Sequence, residues 1–345
     1  MRIMLVRLEN SGRFFETSDG ETILDAAERS GINLPYSCRD GICGTCKARL
    51  CSGEVDYGFY ASAALSEEER AQGYFLMCCG TAQSDLLVDA PVEELGFAPS
   101  PLAFEGHVLS IERLSSDVAV LRIGLPVGTT FRFRAGQYVE LIVHKNQRRS
   151  FSIANAPQDH GVIELHVRLV EGGLFTPTVF EGLKLSDPIS LVGPKGGFYL
   201  RAEDRPVIIV ASGTGFAPIK SMVLDAVRRK LKGPATLYWG GRKKADLYMH
   251  ELPFEWEQRY PGFHYVPVLS DAHSEDQWTG RQGLVHQAVM ADFPDLSGHD
   301  VYACGVPAMV EAARHDFIER CGLPFQNFFA DIFLTTKDRQ KPGDS

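Results

Sequence analysis

The pattern of apolar and polar positions divides the chain into three parts. In residues 1–93, short alternating runs predict strands, and the helical period of Thr22–Arg29 predicts a helix that ends at Gly31. In residues 103–202, strand-like runs are punctuated by Gly and Pro, which predicts an antiparallel β-barrel. In residues 205–335, buried strand runs alternate with helical segments, which predicts an α/β domain with a doubly wound parallel sheet. We therefore expect a multi-domain protein.

Two segments lack this periodicity. Pro91–Pro101 contains three prolines and a glycine, and we expect it to be a linker. The chain from Lys337 onward is rich in charged residues, and we expect a disordered tail.

Composition narrows the class of protein. The chain has 345 residues and is 44% hydrophobic, which is enough to build cores without disulfide staples. Its net charge of -9 argues against nucleic acid as a partner. The N-terminus lacks the apolar core of a signal peptide, and no apolar run is long enough to span a bilayer. We therefore expect a cytoplasmic protein with no membrane partner.

The most specific motif is the run CRDGICGTC. Cys38, Cys43 and Cys46 are separated by four and then two residues, and Cys78 follows much later. This C-x4-C-x2-C spacing with a distant fourth Cys is typical of a plant-type 2Fe-2S cluster. A zinc site would need a second Cys pair or His ligands at short spacing, and no such pair is present. Cys79 competes with Cys78 as the fourth ligand.

The remaining cysteines carry no such pattern. We expect Cys51, Cys79 and Cys321 to be ordinary buried thiols.

A second motif lies in the predicted barrel. Arg149, Phe151 and Ser152 alternate along a strand, so the Arg could pair with a phosphate, the Phe could stack on a flat ring and the Ser could hydrogen-bond its edge. Gly172 and Gly173 follow and lead toward Thr176 and a predicted helix, where free backbone N–H groups could bind a phosphate. Together these residues predict a flavin nucleotide site, although a plain barrel with incidental glycines would share the pattern.

A third motif joins a strand to a helix in the last part. Gly213, Thr214 and Gly215 permit a tight turn and close approach of a pyrophosphate to the helix N-terminus. Cys304 and Gly305 end a later strand, and strand ends on one edge of a parallel sheet converge on a ligand. We expect this pair to meet a nicotinamide. The alternative for Cys304 is a buried core thiol.

The three motifs together resemble the ferredoxin-reductase-type flavoproteins with an N-terminal plant-type ferredoxin domain. These are NAD(P)H-dependent reductase components of aromatic-ring dioxygenases and hydroxylases, and the CDP-6-deoxyglucoseen reductases share the layout. The resemblance covers residues 1 to about 335. The segments that carry it are Cys38–Cys46, Leu76–Cys78, Arg149–Ser152, Gly213–Pro218, Cys304–Pro307 and Phe328–Asp331.

The resemblance implies three domains and their cofactors. Residues 1–93 would form a β-grasp 2Fe-2S domain, residues 103–202 an FAD-binding barrel and residues 205–335 an NAD(P)-binding domain. It favours FAD over FMN and Cys78 over Cys79 as fourth ligand. The family motif Arg-x-Tyr-Ser has Phe151 in place of the tyrosine here, so stacking would survive but a phenolic hydrogen bond would not.

The resemblance also implies roles at the reacting rings. Phe329 and Asp331 would lie near the flavin, and Cys304, Ser152 and Asp331 would be the catalytic residues. Asp331 could equally be a surface carboxylate. A hydride carries two electrons and the cluster accepts one, so the flavin must stand between nicotinamide and cluster.

The choice of nicotinamide depends on two sequence features. Asp271 stands where phosphate-preferring family members carry an Arg, and its charge would repel a 2′-phosphate and favour NADH. The basic run Arg242–Lys244 could bind such a phosphate and favour NADPH. We expect NADH.

The acceptor is expected to be another protein. Residues 1–93 contain 15 acidic and 8 basic residues, so this part would be steered toward a basic patch on a redox partner. An oxygenase or hydroxylase component is the leading expectation, and a deoxysugar dehydratase is the alternative. A redox sensor without turnover is a hypothesis of another class, but the residues of the hydride site are all present.

Overall fold

The computed structural model describes residues 3–62, 64–92, 101–143, 147–173, 175–201, 205–230 and 233–334. Most of the expected linker and the whole expected tail lie outside these residues. The chain forms two compact units, of which the first contains residues 1–98 and 330–345 and the second contains residues 99–329. No helix in the described ranges is long and apolar enough to cross a membrane.

The first unit is built on a five-stranded mixed sheet with the strand order β2-β1-β7-β3-β5. β1 pairs antiparallel with β2 and parallel with β7. Its elements are β1 Met4–Leu8, β2 Phe14–Thr17, α1 Ile23–Arg29, β3 Lys47–Ser52, β4 Val55–Asp56, α2 Glu67–Ala71, β5 Tyr74–Leu76, β6 Thr81–Ala82 and β7 Leu86–Asp89.

Side-chain periodicity explains these elements. Met4, Val6 and Leu8 alternate along β1 and are all buried, as a strand with one face on the core requires. Helix α1 begins after Thr22, whose hydroxyl accepts the Asp25 N–H at 3.1 Å. The predicted helix is therefore confirmed, and the predicted β-grasp fold agrees with this sheet.

The second unit begins with a six-stranded antiparallel sheet with the order β11-β10-β13-β8-β9-β12. The bridge between Ile153 and Leu165 joins its two edges and closes it into a barrel, as predicted. Its elements are β8 Leu102–Arg113, β9 Val118–Gly124, β10 Tyr138–Ile142, β11 Arg148–Ser152, β12 Val162–Arg168, α3 Thr176–Glu181 and β13 Pro188–Lys195.

The rest of the second unit is organised around a parallel sheet with the order β17-β16-β15-β14-β18-β19. β14 pairs in parallel with β15 and β18, and β15 pairs in parallel with β16, as in the predicted doubly wound fold. The elements are β14 Val207–Ser212, α4 Phe216–Arg228, β15 Ala235–Gly241, α5 Glu251–Arg259, β16 Phe263–Leu269, β17 Arg281–Gln282, α6 Val285–Asp292, β18 Asp300–Gly305 and α7 Pro307–Cys321. The last strand, β19 Phe328–Ile332, begins in the second unit, and its residues from 330 onward belong to the first.

The register of β14 and β18 brings two loops together at the carboxyl edge of this sheet. Ala211 lies opposite Cys304, so the turn after β14 meets the end of β18. A Cβ atom on Gly215 would lie 2.2 Å from the Cys304 carbonyl oxygen. Only glycine fits this contact, because real Cβ atoms do not approach backbone so closely.

We predict that Gly215→Ala lowers the free energy of unfolding of the second unit by about 1–3 kcal/mol, because the new Cβ must push the two strand ends apart. All three tryptophans, Trp239, Trp256 and Trp278, lie in this unit. Tryptophan fluorescence during urea unfolding therefore measures the effect.

The matched control is Gly298→Ala, because Gly298 is exposed and a Cβ there has nothing within 4 Å. We expect this control to change stability by less than about 0.5 kcal/mol. Equal unfolding midpoints for the two variants would show that the contact relaxes without cost.

Candidate functional site

The four predicted cluster ligands come together in the first unit as two pairs. The interaction with Cys43 is the largest cause of the raised pKa of Cys38, and the interaction with Cys78 is the largest cause of the raised pKa of Cys46. Cys38 is half-buried and the other three are buried. The strongest thiol interactions therefore group the four as two thiol pairs, Cys38 with Cys43 and Cys46 with Cys78.

The loop backbone supports this arrangement. The Cys38 Sγ atom accepts the N–H groups of Asp40 and Cys43, both at 3.4 Å. Gly41 and Gly44 have φ angles of 73° and 71°, in the left-handed region that glycine adopts without strain. The two glycines thus let the chain curl around the thiols.

The thiol pairs fit a 2Fe-2S cluster. Each iron takes two thiolates and two bridging sulfides, so the cluster needs two pairs of cysteines. A zinc ion needs its ligands around a single point. In the described ranges, no group of three or more His, Cys, Asp or Glu side chains could hold one metal ion. The set of four thiols therefore matches the ligands of a 2Fe-2S cluster.

One thiol in each pair ionises readily. A hydrogen bond from Cys38 lowers the pKa of Cys43 to about 7 in spite of burial. Hydrogen bonds from Cys46 and Cys79 lower the pKa of Cys78 to about 4. Iron binds the thiolate form, and the same interactions raise the pKa of Cys38 and Cys46, so only one thiol of each pair is ready to ionise before a metal binds.

The other thiols differ from expectation in part. Cys321 is buried, as predicted. The prediction for Cys51 is wrong, because the end of β3 runs past the core and leaves this thiol exposed. Cys79 is half-buried, and a hydrogen bond with Cys78 and burial raise its pKa. The Cys46–Cys78 pairing favours Cys78 over Cys79 as the fourth ligand.

The predicted flavin motif lies on β11, which pairs with β10. Ser152 is buried, while Arg149 and Phe151 are half-buried. The Phe151 ring packs edge-on against Phe175 at 5.6 Å between centroids. The Arg149 guanidinium donates to the Arg148 carbonyl oxygen at 2.8 Å and thus stays at the strand. The motif presents an aromatic ring, a hydroxyl and a cation along one strand.

The glycine loop that follows is closed by its own hydrogen bonds. The Thr176 hydroxyl accepts the Val170 N–H at 2.9 Å. The prediction of free N–H groups is wrong for Gly173, because its N–H donates to the Val170 carbonyl oxygen at 2.9 Å. Gly172 has a φ of 71°, which makes the turn. The loop is thus preformed, with α3 beginning directly after it.

The predicted nicotinamide motif lies at the carboxyl edge of the parallel sheet. Gly213–Gly215 forms a 3-10 turn between β14 and α4. Cys304 is fully buried, and a Cβ on Gly305 would lie 2.0 Å from Ser212 Oγ. The two predicted halves of the site, one after β14 and one ending β18, therefore meet, and the N-terminus of the 13-residue helix α4 opens beside them.

A cation lies at this turn that was not predicted from the sequence. Arg168 ends β12, and its Nη1 atom lies 3.2 Å from the position of a Cβ on Gly213. Its Nη2 atom donates to Asp246 Oδ1 at 3.0 Å. Arg168 is remote in sequence from Gly213, so only the folded chain shows a guanidinium at the glycine turn. A basic residue ending a strand just before the Gly172 loop was the one available signal.

A buried polar network joins the barrel to α4 behind this turn. Lys220 Nζ donates to Glu164 Oε1 at 2.6 Å, and His166 Nε2 lies 3.2 Å from the same oxygen. Although burial raises the pKa of Glu164, His166 and Lys220 lower it well below its usual value. Burial lowers the pKa of His166, so this ring is neutral and donates to the carboxylate from Nε2. Its Nδ1 then accepts the Tyr248 hydroxyl at 2.7 Å.

The two residues predicted on the last strand are both enclosed. The Phe329 ring stacks on Tyr302 at 4.7 Å, and the Arg201 guanidinium lies 5.2 Å from its centroid. Asp331 belongs to the first unit and is buried there, and its Oδ1 accepts the Ser37 hydroxyl at 2.6 Å. The alternative of a surface carboxylate is therefore wrong for Asp331.

Asp271 and the basic run Arg242–Lys244, which bear on the choice between NADH and NADPH, are adjacent. The Asp271 N–H donates to the Arg242 carbonyl oxygen at 3.0 Å. The Asp271 side chain is 64% exposed, as a residue that meets a ligand from solvent would be. The Lys244 N–H donates to Asp276 Oδ1 at 3.2 Å, and the N–H groups of Arg242 and Lys243 donate to Asp246 Oδ2, so two carboxylates bind the backbone of the basic run.

Comparison with protein families matches all three parts of the chain. Residues 6–83 match the 2Fe-2S iron-sulfur cluster binding domain, residues 105–199 the oxidoreductase FAD-binding domain and residues 209–315 the oxidoreductase NAD-binding domain. The three matches follow one another along the chain in the order 2Fe-2S, FAD and NAD.

Curated relatives match over nearly the whole chain. The CDP-6-deoxy-L-threo-D-glycero-4-hexulose-3-dehydrase reductase of Yersinia pestis is 45% identical over 334 residues, covering 96% of this chain and 99% of the relative. The phenol 2-monooxygenase reductase component DmpP of Pseudomonas sp. strain CF600 is 38% identical over 96% of this chain and 95% of the relative.

A solved structure shares the fold. The Amycolatopsis cytochrome P450 reductase GcoB superposes with a TM-score of 0.74 at 35% identity, covering 96% of this chain and 98% of that one. The chain therefore belongs to the ferredoxin-reductase-type flavoproteins with an N-terminal 2Fe-2S domain, and it is an NAD(P)H-dependent electron-transfer reductase.

Proposed function

We propose that this reductase uses NADH and delivers single electrons to a separate redox protein. The observation that carries the proposal is the two thiol pairs, Cys38 with Cys43 and Cys46 with Cys78, which suit a one-electron 2Fe-2S cluster. When bound, FAD supplies the conversion from the two electrons of a hydride to single electrons.

The other side chains divide into binding and positioning roles. The turn Gly213–Gly215 and the N-terminus of α4 hold the pyrophosphate of the nicotinamide nucleotide, and Arg168 adds a positive charge there. Cys304 and Gly305 border the nicotinamide ring. Phe151 and Ser152 contact the flavin ring, and Arg149 binds its phosphate.

The charges near Asp271 support NADH. An additional 2′-phosphate would meet the Asp271 carboxylate, and Asp276 already accepts from the basic run. The backbone contact between Asp271 and Arg242 keeps the carboxylate beside the only basic run of this loop. Like charges repel, so the Asp271 carboxylate disfavours a phosphate at this position.

We predict that Asp271→Arg raises the ratio of kcat/KM for NADPH to that for NADH about fivefold, because an exposed charge pair contributes ~1 kcal/mol. Steady-state reduction of ferricyanide with each nucleotide measures the ratio. Glu319→Arg makes the same charge change on α7, and we expect no change in the ratio for it. An unchanged ratio in Asp271→Arg would remove Asp271 from the nucleotide site.

We predict that Cys43→Ser loses the visible and EPR signals of the cluster but keeps NADH-driven ferricyanide reduction within about twofold of wild type. The reason is that hydride transfer takes place in the second unit, whereas Cys43 lies in the first. Cys51→Ser, at the exposed thiol of the same unit, is the control and should keep the cluster. Loss of ferricyanide reduction with flavin still bound would contradict the proposed electron order.

Two classes of acceptor are supported by the relatives. DmpP is the reductase component of a phenol 2-monooxygenase and GcoB is a cytochrome P450 reductase, which supports the expected oxygenase or hydroxylase. The higher identity to the Yersinia reductase favours a hexulose 3-dehydrase. We propose the dehydrase as a second candidate of equal rank. The acidic surface of the cluster domain would meet a basic patch on either protein.

Coupled assays distinguish the two acceptors. The reductase would be reduced anaerobically with NADH and mixed with purified CDP-6-deoxy-hexulose 3-dehydrase and its substrate, or with a phenol 2-monooxygenase oxygenase component and phenol. We expect rapid reoxidation with one acceptor class and a rate that falls as salt screens the acidic surface. A protein fully loaded with cofactors that NADH fails to bleach would overturn the reductase function itself.

A further inference from the structure

Cys79 lies directly beside the predicted ligand Cys78. The two Sγ atoms are 3.5 Å apart, within hydrogen-bond distance for sulfur. A tight turn holds both residues, because the N–H groups of Cys79 and Gly80 both donate to the Leu76 carbonyl oxygen, at 3.1 and 2.8 Å. The backbone therefore places the two thiols side by side.

The ligand loop closes over Cys79 from the other direction. A Cβ on Gly41 would lie 2.7 Å from Cys79 Sγ, and a Cβ on Gly58 would lie 2.5 Å from the Cys79 carbonyl oxygen. Both glycines also have positive φ angles, 73° and 60°. Two segments thus approach Cys79 as closely as glycine allows, and one of them is the loop between Cys38 and Cys43.

The direction of the Cys78–Cys79 hydrogen bond follows from simple chemistry. An iron-bound Cys78 has no proton, so its sulfur can only accept. The thiol of Cys79 is then the donor. A hydrogen bond to a ligand sulfur stabilises it most when it carries more negative charge, which is the reduced state of the cluster.

We propose that Cys79 is a positioning residue that donates an S–H hydrogen bond to the Cys78 sulfur and raises the reduction potential of the cluster. This inference rests on the proposed function, because it requires a cluster on Cys78. It assigns Cys79 neither as a ligand nor as an ordinary core thiol. The pairing of Cys46 with Cys78 supports Cys78, and not Cys79, as the ligand. The position of Cys79 between Gly41 and Cys78 distinguishes it from an ordinary core thiol.

The test uses the full-length protein with its cofactors. Cys79→Ala and Cys79→Val remove the donor, Cys79→Ser keeps a donor, and Cys51→Ala removes the exposed thiol of the same unit. Iron content, visible absorbance and EPR of the reduced protein first establish that each variant holds a cluster. An anaerobic redox titration followed by EPR then gives the midpoint potential of the cluster in each variant.

We expect Cys79→Ala and Cys79→Val to shift the potential downward, Cys79→Ser to recover at least part of the shift, and Cys51→Ala to match wild type. Unchanged potentials in both donor-less variants would overturn the inference while leaving the proposed function intact. Loss of the cluster in both of them but not in Cys78→Ala would also overturn it, because Cys79 would then be the ligand. A wild-type protein that binds no cluster would overturn the proposed function, and the inference with it.

Discussion

The nicotinamide half of the protein depends on the contact between two strand ends in the parallel sheet. The turn after β14 and the end of β18 lie so close that neither Gly215 nor Gly305 has room for a Cβ atom. This closeness follows from the parallel pairing of Ala211 with Cys304, which brings both carboxyl ends to one edge. The backbone of the turn after β14 and of the end of β18 therefore lines the predicted nicotinamide site directly.

The same constraint operates at the cluster loop in the first unit. Glycines at positive φ let the chain pass within contact distance of sulfur atoms, and the thiols separate into two pairs. In both units, glycine lets the backbone come closer to the predicted cofactor site than a residue with a side chain would allow. The units thus use one structural device for two different cofactors.

The buried charged groups of the second unit are held by side-chain contacts between β12 and α4. Glu164 and His166 lie on β12, whose opposite face carries the apolar barrel residues Ile163, Leu165 and Val167. These polar side chains are buried because α4 covers them, and Lys220 from that helix neutralises the carboxylate. A buried carboxylate without such a partner would cost several kcal/mol. The network therefore ties the strand that carries Arg168 to the helix that begins at the glycine turn.

From the sequence alone, the fold classes and the cofactors could be predicted, and the motifs indicated candidate site residues. Local spacing was sufficient for these, because a cluster loop and a glycine turn are formed by neighbouring residues with fixed chain geometry. The tertiary structure decided which distant residues meet. It brought Arg168 to Gly213, enclosed Asp331, exposed Cys51 and set Cys79 against Gly41. Such contacts depend on strand register and on which face each element buries, and no local pattern encodes them.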